Sequence, residues 1–227
     1  MGTRIQRRHR TDIRRDEIAN AAGAVMIRRG SEHITIREIA KEIRLSEGAI
    51  YRHFRNKRDI LSLMVEHAEE SMSNDIEKSL SLGGTPMQVL ERALQNHISG
   101  AKQRQGASFQ VIAEVVSLGD RKLNRQASAA LERYTRRIRD LVAAGINAGE
   151  VKEESDPQVA ALLITSMIQG LVNSWSLRNY EFDLEERYRH LWGILRRTLA
   201  RENAERLGAI RPECHKAAPG YQGKTIS

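Results

Sequence analysis

Apolar residues recur at steps of three and four along almost the whole chain, and nowhere alternate with polar ones over a strand's length. This pattern predicts an all-α protein of nine helices. The first covers about 11–29, with Ile18, Ala21, Ala22, Val25 and Met26 on one face and Gly30 as its stop. The second opens on a capping box, Thr35 with Glu38, flanked by the staple pair Ile34 and Ile39, and ends near Ile43. Ser46 caps a short third helix, about 47–53, with Leu45 and Ile50 as its staple. Asn56 caps a fourth that runs to about 81.

Gly83-Gly84 then breaks the chain. Thr85-Pro86-Met87-Gln88 reads as cap, first-position proline and capping-box glutamine of a fifth helix, ending near 105. The sixth spans about 107–118, and the seventh runs from its cap Asp120 to near Gly149. Asp156-Pro157 opens the eighth, to about 179. Asp183 with Glu186 opens the ninth, to about 206. Residues 208–227 mix glycine, proline and charges without period, and disorder is expected there. The chain thus divides into 1–55, three short helices led by a basic arm over 1–10; 56–207, six longer helices; and the tail.

Charge sharpens this division. The net charge is +8. Residues 1–60 hold 15 Lys and Arg against 8 Asp and Glu, whereas the other 167 residues hold 22 against 21. A polyanion partner is therefore expected for the first quarter alone. Arg4, Arg7, Arg8, Arg10, Arg14 and Arg15 crowd the start, where they would lie along phosphates or enter a minor groove. Aromatic residues are only 4%, too few for rows of base-stacking rings.

The informative stretch is 35–57, TIREIAKEIRLSEGAIYRHFRNK. Two short helices are joined by Arg44-Leu45-Ser46. Ala40 is small where the second must cross, and Ile36, Ile39, Ile43, Leu45, Ile50 and Phe54 supply a shared apolar face. This is the helix-turn-helix pattern, whose second helix enters the major groove of DNA. Glu47, Gly48, Ala49, Tyr51, Arg52 and His53 are left facing outward. Small residues at 48 and 49 let the helix start approach base edges; Glu47 suits a cytosine amino group and Arg52 a guanine. Tyr51, His53 and Lys57 are spaced for phosphates, and Thr35 and Arg37 stand at a helix N-terminus that suits another.

At Thr35, Ile39-Ala40, Leu45-Ser46, Gly48 to Phe54, and Lys57 followed by Asp59-Ile60-Leu61, the sequence resembles the tetracycline-repressor (TetR) family. The resemblance covers about the first 65 residues. It implies a three-helix DNA-binding domain, a six-helix ligand-binding and dimerisation domain, and repression of an operator relieved by a small molecule. Carried over residue by residue, it makes Glu47, Gly48, Ala49 and Arg52 base readers, and Thr35, Tyr51, His53 and Lys57 phosphate contacts, with Arg37 in either role and Ser46 at the helix start. One departure is Arg44, where the family commonly has glycine; a left-handed turn there would cost arginine about 1 kcal/mol.

In the larger domain the eighth helix is apolar on nearly all sides, and the ninth carries the stripe Leu184, Tyr188, Leu191, Trp192, Leu195, Leu199. The resemblance implies that these two helices pair with their copies in a homodimer, through Leu163, Met167, Leu171, Tyr188, Leu191, Trp192 and Leu195. Two reading helices would then meet a pseudo-palindromic site on double-stranded DNA. A cavity for an unidentified hydrophobic or amphipathic effector is expected among helices four to eight, with His97, Phe109, Ile112, Glu114, Tyr134, Met167 and Trp175 as candidate lining. The alternative is an effector-independent helical DNA-binding or structural protein with a solid core.

Catalysis finds no support. The seven histidines form no HExxH pair, and glycine-rich phosphate loops, GxSxG and Cys/His ligand clusters are all missing. Spacing gives no sign of a metal set among His67, His97 and Glu114, and no cofactor is expected. Cys214 is the single cysteine, which suits a reducing cytoplasm. The opening residues do not read as a signal peptide, and the longest apolar stretch, 159–172, is interrupted by Thr165, Ser166 and Gln169 and reads as too short to span a bilayer.

Overall fold

In a computed structural model, residues 2–201 are described, with side chains from residue 15 onward. The tail over 208–227, with Cys214, lies outside the described residues. Nine α-helices are found among them: α1 (Gly2–Arg29), α2 (Ile36–Glu42), α3 (Glu47–Tyr51), α4 (Lys57–Ser81), α5 (Pro86–Gln103), α6 (Ala107–Leu118), α7 (Arg121–Asn147), α8 (Pro157–Leu177) and α9 (Leu184–Leu199). A single 3₁₀ turn, Ser31–His33, follows α1. A lone antiparallel bridge, Val151 to Ala200, ties the α7–α8 loop to the end of α9.

The helix starts lie where the caps predict, because each cap satisfies orphan amides a few residues away. Asn56 accepts from the Asp59 N–H at 3.1 Å, and Asp120 from Lys122 and Leu123 at 2.9 and 3.0 Å. Thr85 and Gln88 complete a reciprocal capping box. Thr35 makes only half of one. Its hydroxyl accepts from the Glu38 N–H at 3.2 Å, but the Glu38 carboxylate is drawn to Arg29 on α1. Three boundaries differ from expectation. The backbone of the basic arm continues α1 back to Gly2, α3 ends at Tyr51, two residues early, and α9 ends at Leu199, about seven residues early, where Ala200 turns extended.

Arg44 is left-handed, with φ 53°. Its neighbours explain why the conformation holds: the Leu45 N–H reaches back to the Ala40 carbonyl at 2.9 Å, and the Arg44 N–H to that of Lys41. This is the Schellman ending of α2, and Arg44 occupies the position that glycine prefers.

Two cores organise the chain. The first joins Ile18, Ala22 and Met26 of α1 to Ile39, Ile50, Phe54, Ile60 and Leu61, and continues into Val111 and Val115 of α6 and Leu123 and Ala127 of α7. Packing therefore does not divide at residue 55. The second core gathers α5, α7, α8 and α9 around Leu90, Ile98, Ile138, Ile164 and Val172. At 21 residues, α8 is by length and composition apolar enough to cross a membrane, contrary to the reading of its sequence. In this fold it is a core helix, with Ala161, Ile164 and Val172 fully covered.

Candidate nucleic-acid interface and effector cavity

α3 is five residues long, too short to persist alone, and is held from behind. Ile50 and Phe54 are buried in the first core, and Ser46 accepts from the Ala49 N–H at 3.2 Å. Its outer face is left open. Glu47, Gly48, Tyr51, Arg52 and His53 are exposed, as is Arg37 on α2, and none of their side chains bonds to a described residue. A Cβ built on Gly48 would meet nothing within 4 Å, so this glycine is not required by the protein's own packing.

Two expected roles need correction. Lys57 does not simply face outward: its ammonium donates to Glu114 of α6 at 2.6 Å. Glu114 is accordingly outside the effector cavity. Burial pushes its pKa up, but hydrogen bonds from Lys57 and Ser31 and the Lys57 charge outweigh this and hold the carboxyl below its ordinary value. Beside it, Arg58 pairs with Asp120, the cap of α7. The first turn of α4 is thus gripped at two points by α6 and α7.

The cavity lies among α4 to α8, and His97, Phe109, Ile112 and Tyr134 meet there. His97 is fully enclosed, stacked on Tyr134 at 5.5 Å between ring centres and edge-on to Phe109 at 5.7 Å. Burial, with a smaller push from the Arg104 charge, lowers its pKa to about 4, so the ring is neutral at pH 7. Neither ring nitrogen has a hydrogen-bond partner, and Nδ1 stands 3.9 Å from the Asp75 carboxylate. Burial in turn raises Asp75, against the charges of Arg104 and Lys78.

Met167 and Trp175 are not in this wall. Met167 packs on the second core, and the Trp175 indole donates to the Phe182 carbonyl at 2.9 Å and lies edge-on to Tyr180. Sequence reasoning missed Thr165 and Gln169, which do line the cavity. Their signal was present: of the three polar positions that interrupt the apolar run of α8, these two are four residues apart and so on one face. The free volume is about 40 Å³, far below the ~300 Å³ at which sites for small molecules begin.

The dimer residues also need correction. Leu171, Tyr188 and Trp192 are buried in the protomer's own core and leave little area for a second copy. The apolar side chains left exposed on these helices are Val159, Leu162, Leu163 and Leu177 of α8 and Ile194 of α9.

An open helix-turn-helix, sharing its core with a helical unit that encloses a cavity, has the form of a DNA-binding protein. Residues 18–64 match the tetR family of bacterial regulatory proteins, and residues 83–177 match the tetracyclin repressor-like C-terminal domain. The chain is 26% identical to the HTH-type transcriptional regulator AcrR of Shigella flexneri, over 80% of this chain and 86% of that protein. It is 24% identical to the nucleoid occlusion factor SlmA of Photobacterium profundum, over 80% and 93%. The solved structure of the regulator FadR of Bacillus subtilis with stearoyl-CoA shares its fold, with a TM-score of 0.64 at 24% identity over 79% of this chain and 96% of that one. The chain belongs to the tetR family: it is a ligand-responsive, DNA-binding transcriptional regulator and not an enzyme.

Proposed function

We propose that the protein acts in the cytoplasm as a homodimeric repressor that leaves a pseudo-palindromic operator when a small amphipathic molecule enters the cavity between α4 and α8. The outer face of α3 carries this reading, since its polar side chains are exposed and unused by the fold while its apolar ones lock it in place. In this reading Glu47, Gly48, Ala49 and Arg52 read bases, and Thr35, Arg37, Tyr51 and His53 grip phosphates. Lys57 shares its charge between Glu114 and the DNA backbone, an ammonium having three donors.

The effector would combine an apolar body with a polar group that satisfies His97, since a buried neutral imidazole offers one donor and one acceptor. A cavity of about 40 Å³ holds no such molecule, so its walls must part. α6 supplies Phe109 and Ile112 to the wall and Glu114 to Lys57. Displacing α6 therefore disturbs the start of α4 and, through the shared core, α3. An effector that binds the opened form better lowers operator affinity by that difference. The dimer face combines Leu163 with Val159, Leu162, Leu177 and Ile194.

The test is selection of bound duplexes from a random pool by the full chain, followed by the same selection with two variants. Lys57→Ala is expected to weaken all sequences alike, and Glu47→Ala to alter base preference. Failure to enrich any duplex at low salt would overturn the reading.

A further inference from the structure

We propose a divalent metal site that bridges α1 and α4, formed by Asp16, His67 and Glu70. The three side chains bring one ligand atom each to within 4.8 Å of one another. His67 and Glu70 are three residues apart on α4, so they share a face, and Asp16 meets them from α1. His67 Nδ1 lies 3.5 Å from the Asp16 carboxylate, too far for a good hydrogen bond. It is the right separation for two donors of one tetrahedral ion, which at ~2.0–2.1 Å from the metal stand about 3.3–3.5 Å apart.

The donor set selects the ion. One imidazole and two carboxylates suit a first-row divalent transition metal such as Zn²⁺, whereas Mg²⁺ and Ca²⁺ favour oxygen alone. Water would complete the coordination, and there is room for it. His67 lines two adjoining cavities of about 250 and 610 Å³. Two cations border the same groove, Lys78 and Arg104, and Arg104 is directed to Ser71 at 3.2 Å. Arg15 is occupied by Glu66 at 2.5 Å, which leaves Glu70 without a partner among the described residues. The bridge would join the first helix of the DNA-binding core to the helix that reaches the effector cavity. A bound ion would thus fix the angle between them and change operator affinity.

Isothermal titration of Zn²⁺ into the metal-stripped full chain tests this. One ion per chain is expected, with affinity weakened about ten-fold or more in each of His67→Ala, Asp16→Asn and Glu70→Gln. Co²⁺ should give a visible absorption band that His67→Ala abolishes. Melting temperatures of the ion-free variants check that each still folds. Zn²⁺ binding unchanged in all three variants, or none at millimolar ion, would overturn the site; loss in His67→Ala and Glu70→Gln but not in Asp16→Asn would overturn the bridge. No readout uses DNA or an effector, so the regulator reading stands or falls separately.

Discussion

Gly48 separates what the fold needs from what DNA needs. It is the second residue of α3, and a methyl group added there meets nothing within 4 Å. Alanine in a helix is favoured over glycine by roughly 0.5–1 kcal/mol. Gly48→Ala should therefore raise the melting temperature by about 1–4 °C. If the start of α3 lies against base edges, the same methyl is overpacked in the complex, which costs about 1–3 kcal/mol. That is roughly a 5- to 150-fold loss of affinity. Stability and binding should move in opposite directions. Thermal melts and fluorescence anisotropy on a selected duplex measure both. A variant that is more stable and binds as tightly would refute the placement of α3. A variant less stable than the parent would refute the claim that the position is open.

Further predictions concern the turn, the cavity and the dimer. Arg44→Gly relieves about 1 kcal/mol of left-handed strain but frees the unfolded chain by about 0.4–1 kcal/mol, and a small net gain of up to about 0.6 kcal/mol is expected in urea unfolding; a clear loss would show that the arginine has a stabilising role. His97 binds its proton more weakly folded, at about 4, than unfolded, at 6.5, so stability falls as pH drops through that window. The loss is at most about 3 kcal/mol, is partly offset by the raised Asp75, and should flatten in His97→Phe; equal pH slopes in the two proteins would contradict it. Carboxyls with lowered values, Glu69 and Glu114 among them, add their own losses only below about 4.5. Leu163→Asp places a charge in the proposed dimer face and should yield a folded monomer by sedimentation; a persistent dimer would move the interface elsewhere.

The amino-acid order alone determined the helices, their caps and the outward face of α3. Those features depend on residues three or four positions apart: Asn56 reaches the Asp59 amide, and Ile50 and Phe54 fall on one face of their segment. The resemblance to the family was legible for the same reason, since its motif lies within one short segment. Pairings across the chain were decided only in three dimensions. Glu114 is one polar residue on an apolar helix, and nothing near it in sequence says that its partner is Lys57, 57 residues away, rather than a ligand. The stripe of α9 marked Tyr188 and Trp192 as buried, but period cannot say whether their own core or a second copy covers them. Asp16 and His67 likewise meet only because α1 packs along α4. Periodicity specifies which face of a helix is apolar, while the choice of what covers that face depends on the shape and charge of surfaces that exist only once the chain has folded.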